Sequence, residues 1–310
     1  MNVLLFGAAG FIGTNLALKL REDPAVQLTL VDVNKDYFNP VVVSDRVKLV
    51  QSPIGTDTDF EALFQGQDVV YHLVSTTVPT TSNQQIADEL TANVVMTAKL
   101  LDGCVKSGVK KVIFISSGGT VYGKQTACPL SEDTPTDPIS AYGVQKVTIE
   151  KLLYLYHYMH GLDYRVVRLA NPYGPYQRPN GILGAVTTFT YKALRGEQIS
   201  VFGDGSVVRD FIYIDDAVRA ILQIAESDAT HKVFNLGSGY GTSIRQVLTA
   251  IENALGLTLN IAWLPSRPVD VPVNYLDISR YEEAFGALEP LPLEEGILKT
   301  AAFMKESDMV

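Results

Sequence analysis

Six short apolar runs punctuate the first 170 residues: NVLLF, QLTLVDV, KLVQSP, DVVYHLVS, KKVIFISS and YRVVRLA, with helical stretches such as ELTANVVMTAKLLDGCVKSG between them. A strand that is apolar along its length, and not only at alternate positions, has both faces buried, which requires a parallel sheet covered by helices. The alternation therefore predicts a doubly wound α/β domain over residues 1–170. After Asn171 the rhythm changes, because NPYGPYQRPNG is rich in Gly, Pro and Asn and reads as irregular structure. A further buried run, KVFNLGS at 232–238, predicts that 210–240 returns to the sheet. Residues 171–209 and 241–310 are then expected to form a smaller, interleaved C-terminal lobe.

Composition narrows what such a fold can serve. With 310 residues, 46% of them hydrophobic, the chain can bury the core of one large domain or two smaller ones. No apolar run reaches membrane length, and MNVLLFGAAGFIG has no basic leader and three glycines, so it reads as a first strand and turn. Cys104 and Cys128 are too few for a disulfide framework or a thiolate zinc site, which fits a reducing cytoplasm. The histidines His72, His157, His160 and His231 are accompanied by no acid cluster, so no metal site is expected. A net charge of −9 argues against broad contact with nucleic acid or an anionic membrane, though not against an anionic small molecule held by local arginines.

Gly7, Gly10 and Gly13 follow the first strand as G-x-x-G-x-x-G and open a helix, with Phe11 and Ile12 between the last two. The first glycine permits a tight turn, the second lets backbone approach a pyrophosphate, and the third lets helix pack on strand. The helix N-terminus then attracts the phosphates, as in a Rossmann-type dinucleotide site. Asp32 ends the second strand, 19 residues beyond Gly13. A carboxylate there accepts hydrogen bonds from ribose hydroxyls and repels a 2′-phosphate, so the expected cofactor is NAD and not NADP.

Tyr142 and Lys146, in SAYGVQK, stand one helical turn apart on one face. The ammonium can lie beside the phenol and favour its phenolate. A free tyrosine titrates near ~10, so serving as a base near neutrality requires its pKa to fall by roughly 3, worth about 4 kcal/mol.

GAAGFIG, HLVS at 72–75, SSGGTVYG at 116–123, the Tyr142–Lys146 pair, RLANPYGP at 168–175 and GDGSVVRDFIYIDD at 203–216 fall in one order along the chain. In that order and spacing the chain resembles the extended short-chain dehydrogenases, and most of all the nucleotide-sugar 4-epimerases. The resemblance implies that Tyr142 takes the proton from a sugar hydroxyl while hydride leaves the same carbon for NAD. It implies too that Lys146 supports the phenolate and binds the nicotinamide ribose. A hydroxyl normally completes such a site, but its usual position is occupied here by Gly118. Ser117 is the nearest substitute, with Ser116 and Thr120 as alternatives. Related dehydratases carry Thr-Asp-Glu in this stretch, whereas Gly118-Gly119-Thr120 has neither carboxylate, which favours inversion over elimination.

The same resemblance implies that Asn171, Arg209 and Arg267 hold a substrate diphosphate, a role suited to guanidinium groups, and that Asp270 binds near the nucleoside or orients an arginine. Asn274, where glucose-specific members carry a bulkier tyrosine, is expected to leave room for a 2-acetamido group. The expected reaction is C4 inversion of a UDP-hexose, UDP-glucose and UDP-galactose with UDP-N-acetylhexosamines beside them, through a 4-keto sugar. UDP-glucuronate 4-epimerase, sugar dehydratase or reductase activity and a non-enzymatic dinucleotide sensor are the rival readings. The segment KVTIEKLLYLYHYM is apolar on more than one face, and family dimers pair through such helices, so a homodimer is expected.

Overall fold

The computed structural model describes residues 1–33, 40–41, 43–76, 82–125, 127–179, 184–266 and 271–310. Its first half alternates strand and helix: β1 (Asn2–Phe6), α1 (Phe11–Leu20), β2 (Gln27–Asp32), β3 (Val47–Gln51), α2 (Phe60–Phe64) and β4 (Val69–His72). There follow α3 (Ile86–Leu90), a π-helical turn (Thr91–Val95), α4 (Met96–Ser107), β5 (Lys111–Ser117), α5 (Ala141–His160) and β6 (Asp163–Leu169).

Together with β11 (Val233–Leu236), the first six strands form one seven-stranded sheet in the order β3-β2-β1-β4-β5-β6-β11. Every pairing in it is parallel. Successive residues of a strand point to opposite faces, and both faces here are buried. Val3 and Leu5 of β1, with Ile113 and Ile115 of β5, enter one apolar cluster, while Leu4, Phe6, Val112 and Phe114 enter the other. The second cluster is closed by Phe60 and Phe64 of α2, Met96 and Leu100 of α4, and Ile149 and Leu153 of α5. Each such side chain contributes about 1.5–3 kcal/mol on burial, which is why continuous apolar runs mark these strands in the sequence. The chain winds outward from β1 through β2 to β3, then returns to β4 and winds the other way. A crevice therefore opens beyond the C-terminal ends of β1 and β4, where ligands of such sheets bind.

The remaining elements are β7 (Asn171–Tyr173), α6 (Ala185–Leu194), β8 (Ile199–Phe202), β9 (Val208–Arg209), β10 (Phe211–Tyr213), α7 (Ile214–Glu226), β12 (Thr242–Ser243), α8 (Ile244–Leu255), β13 (Ile261–Leu264), β14 (Val273–Asn274), α9 (Ser279–Phe285) and α10 (Leu293–Glu306). Their strands make three small sheets, β10-β7, β12-β9-β14 and β13-β8. One expectation is corrected here, since the start of NPYGPYQRPNG is regular. Asn171 to Tyr173 pair in parallel with Phe211 to Tyr213. Asn171 donates to the Asp210 carbonyl through both its backbone N–H (3.0 Å) and its side-chain amide (2.8 Å), and Tyr173 sets its ring edge against Tyr213. Pro172 has no N–H to contribute, and a two-stranded pair tolerates that loss. Among the described residues, no helix is long and apolar enough to cross a membrane.

Candidate active site

One cleft of about 1180 Å³ lies beyond the C-terminal ends of the sheet strands. It is lined by Gly7, Gly10, Phe11, Ile12 and Gly13 from the turn between β1 and α1, by Ser117 of β5 with Tyr142 and Lys146 of α5, and by Asn171 of β7 and Arg209 of β9. The structure thus gathers ten predicted site residues around one space.

The glycine turn has the shape that a dinucleotide requires. Gly7 has φ +92°, and a Cβ there would lie 2.9 Å from Val74 Cγ2. A Cβ on Gly13 would stand 2.6 Å from the Gly7 carbonyl oxygen and 2.7 Å from that of Ala8, so helix α1 packs on the turn only through glycine. Gly10 differs, because a Cβ there would meet only the Gly7 oxygen, at 3.5 Å. None of the described residues demands glycine at this position, and Gly10 lines the cleft. Gly10 caps α1 without any side-chain hydrogen bond, so the first N–H groups of the helix stay available to an anion. Asp32 is not on the cleft wall itself. Its carboxylate accepts hydrogen bonds from Ala9 N–H (2.9 Å) and Val33 N–H (2.8 Å), bracing the glycine turn from the end of β2. These features fit NAD.

Tyr142 and Lys146 share the inner face of α5. Lys146 is buried, donates to the Ile115 carbonyl at 2.9 Å, and places Nζ 5.4 Å from the centre of the Tyr142 ring and 4.7 Å from that of Phe114. Burial pulls the ammonium down to about 8, opposed by the Glu150 carboxylate one turn further along the helix. Burial also pushes the Tyr142 phenol up to about 12. In the protein alone, then, desolvation outweighs the neighbouring charge at the phenol, opposite to the direction that the four-residue spacing suggested. His72, beneath the pair, is pushed down to about 3 by burial and then by the Lys146 charge, so it stays neutral.

The end of β5 separates the candidate hydroxyls. Ser116 also borders the cleft, but its buried hydroxyl is committed to Glu150 Oε1, to which it donates at 2.5 Å. A side chain at Gly118 would require Leu276 to move, since a Cβ would stand 2.5 Å from Leu276 Cδ1 and 3.0 Å from the Arg168 carbonyl. Thr120 Oγ1 is buried without a hydrogen-bond partner among the described residues. Ser117 lines the cleft, and its hydroxyl bonds no other described residue.

In the far half, Arg209 donates to the Val208 and Val271 carbonyls at 2.8 and 2.7 Å, which fixes its guanidinium against the wall formed by β9. Asn274 is not brought to the cleft. It is 2% exposed on β14, paired to β9, with its amide 3.4 Å from the Gly118 carbonyl. Arg267 and Asp270 lie outside the described residues.

One feature escaped the sequence reading. Glu150 receives Arg168 through Nη2 (2.7 Å) and Nε (3.2 Å), and Arg168 reaches on to the Tyr122 hydroxyl (3.0 Å), which donates to Asn235 (2.6 Å). This buried network ties α5 to β5, β6 and β11 directly behind the Tyr-Lys pair. Its signal was present, because Glu150 continues the four-residue spacing of Tyr142 and Lys146, and Arg168 opens the RLANPYGP motif.

Comparison with known proteins agrees with this geometry. The model of the NAD dependent epimerase/dehydratase family matches residues 3–237. A UDP-glucose 4-epimerase of Mycolicibacterium smegmatis is 35% identical over 310 residues, covering 98% of this chain and 99% of the relative. The crystal structure of UDP-glucose 4-epimerase from Thermotoga maritima with UDP-glucose is 34% identical, with a TM-score of 0.91 and 99% of each chain covered. UDP-glucuronic acid 4-epimerase from Bacillus cereus, solved with UDP-glucuronic acid and NAD, superposes with a TM-score of 0.91 at 28% identity, covering 99% of this chain and 100% of that one.

Proposed function

Since the chain belongs to the NAD dependent epimerase/dehydratase family, we propose that it inverts C4 of a UDP-hexose, interconverting UDP-glucose and UDP-galactose. The observation that carries this reading is the gathering of the glycine turn, Tyr142, Lys146 and Arg209 on the walls of one cleft. The absence of any carboxylate in Gly118-Gly119-Thr120 favours inversion over loss of water. The two relatives of highest identity described above are named for UDP-glucose.

The glycine turn and the N-terminus of α1 would hold the pyrophosphate, and Asp32, at the end of β2, would supply the carboxylate for the ribose hydroxyls. When bound, NAD supplies a hydride acceptor beside C4 and a positive ring that opposes the effect of burial on the phenol. Tyr142 Oη takes the proton of the C4 hydroxyl, and Ser117 Oγ, with no hydrogen-bond partner among the described residues, holds that hydroxyl in line. Lys146, anchored on the Ile115 carbonyl, keeps a positive charge over the tyrosine ring. Arg209 and Asn171 grip the diphosphate at the far end. A substrate held at one end can turn its other end, so the 4-keto sugar presents its second face before Tyr142 returns the proton.

Purified protein incubated with UDP-glucose, UDP-N-acetylglucosamine and UDP-glucuronate, with the C4 epimers resolved by chromatography, tests the assignment. Conversion of UDP-glucose is expected to be fastest, and three flat baselines would sink it. Tyr142→Phe is expected to lower kcat by about 10²–10⁴-fold, the usual contribution of a positioned acid–base group. For the assembly we propose a homodimer through the outer face of α5, where Tyr154, Leu155, Tyr158 and Met159 are exposed together, in a reducing cytoplasm that leaves Cys104 and Cys128 unpaired.

A further inference from the structure

A helix begins with N–H groups that have no partner inside it. In α5 the first three all find a side chain. Gly143 N–H donates to Ser140 Oγ at 3.2 Å, an ordinary local cap. The other two are met from far away in the sequence. Ala141 N–H donates to Asn83 Oδ1 at 2.9 Å, and Tyr142 N–H donates to Ser82 Oγ at 3.1 Å. Ser82 is fully buried, and Asn83 stands on the wall of the cleft. The opposite side of the same helical turn is also closed. A Cβ on Gly143 would lie 2.8 Å from the Thr120 carbonyl oxygen and 2.7 Å from Pro138 Cβ, so this turn is wedged against the segment that follows Ser117.

Helix formation does not require the distant pair. The helix is 20 residues long, has its own Ser140 cap, and buries Ile149 and Leu153 in the core. What Ser82 and Asn83 add is a fixed place for its second residue, which is Tyr142. We infer that Ser82 and Asn83 are positioning residues for Tyr142: by holding its amide and the one before it, they set where the phenol stands relative to Ser117 and Lys146. The inference rests on the reading of Tyr142 as the proton-transferring group. Neither residue touches the reacting atoms through these bonds. Their effect is exerted through the tyrosine backbone, and a displacement near 1 Å at a reacting group costs about 10²-fold in rate.

The test compares the parent enzyme with Ser82→Ala, Asn83→Leu and the double variant, and with Ser82→Thr and Asn83→Asp, which keep an acceptor. Three quantities are read: kcat and KM for C4 interconversion, the pH dependence of kcat, and amide hydrogen exchange along α5. The double variant is expected to lose about 10- to 100-fold in kcat, with KM within about twofold and a displaced pH profile. Exchange should accelerate at residues 141 and 142 alone, and Ser82→Thr and Asn83→Asp should recover most of the rate. A double variant with kcat within about twofold of the parent overturns the inference. So does a loss of rate that tracks lost protection along the whole of α5, which would make the two residues merely structural. A parent that converts no UDP-sugar counts against the proposed function, whereas an active parent with an indifferent double variant counts against the clamp alone.

Discussion

At the scale of the residue, Lys146 shows how far function and stability pull apart. Its ammonium is buried and its pKa falls to about 8, below the value near 10.5 of an unfolded lysine. Between these values the unfolded chain binds the proton and the folded chain does not, so stability contributed by this group rises with pH across that window and is lowest below about pH 8. Lys146→Met, which removes the buried charge at similar volume, is therefore expected to raise the melting temperature at pH 6–7 while abolishing turnover. The gain should shrink as the pH climbs from about 8 towards 10. A calorimetric series over pH checks this, and an equal shift at every pH would contradict the assignment of the shift to Lys146. The Tyr142–Lys146 spacing was legible in the sequence because helical periodicity alone puts both on one face. The rise of the phenol to about 12 was not, since it comes from burial, which only the folded chain imposes on Tyr142.

At the scale of the element, the C-terminal end of β5 sets which hydroxyl the proposed site can offer. Lys146 holds the Ile115 carbonyl and Glu150 holds the Ser116 hydroxyl, so α5 grips two consecutive residues and leaves Ser117 turned to the cleft. Leu276 closes over the next position, which is why glycine occupies it. Gly118→Ser, although it restores the hydroxyl usual in related enzymes, is expected to destabilise by about 1–3 kcal/mol through overpacking against Leu276. Urea denaturation measures that cost, and unchanged stability together with higher kcat would show that the site tolerates the missing hydroxyl in its usual place. The strands of the large sheet were readable because each is buried on both faces and carries its own apolar signal. The short strand β7 was not, because its pairing with β10 is imposed by Asn171 reaching Asp210 and by Tyr173 meeting Tyr213, partners about 40 residues away. The loss of Asn274 from the cleft has the same origin, since β14 takes its register from β9.

At the scale of the whole molecule, the exposed face of α5 is the feature that a single chain leaves unexplained. Tyr158 is 79% exposed and Tyr154 58%, side by side with Met159 and Leu155. Large apolar side chains grouped in this way mark association surfaces. Tyr154→Glu together with Tyr158→Glu is expected to shift a dimer to monomers in sedimentation experiments, while the parent keeps its mass on dilution. The large sheet carries a consequence for synthesis as well. Its first six strands are complete once β6 has emerged at Leu169, and the glycine turn and the tyrosine helix are in place with them. The strand that covers the free edge of β6 is β11, made only after more than sixty further residues. On the ribosome, a half-made chain thus carries its glycine turn and its Tyr142–Lys146 pair beside an open, sticky strand. That edge is where a nascent or truncated copy would join its neighbours.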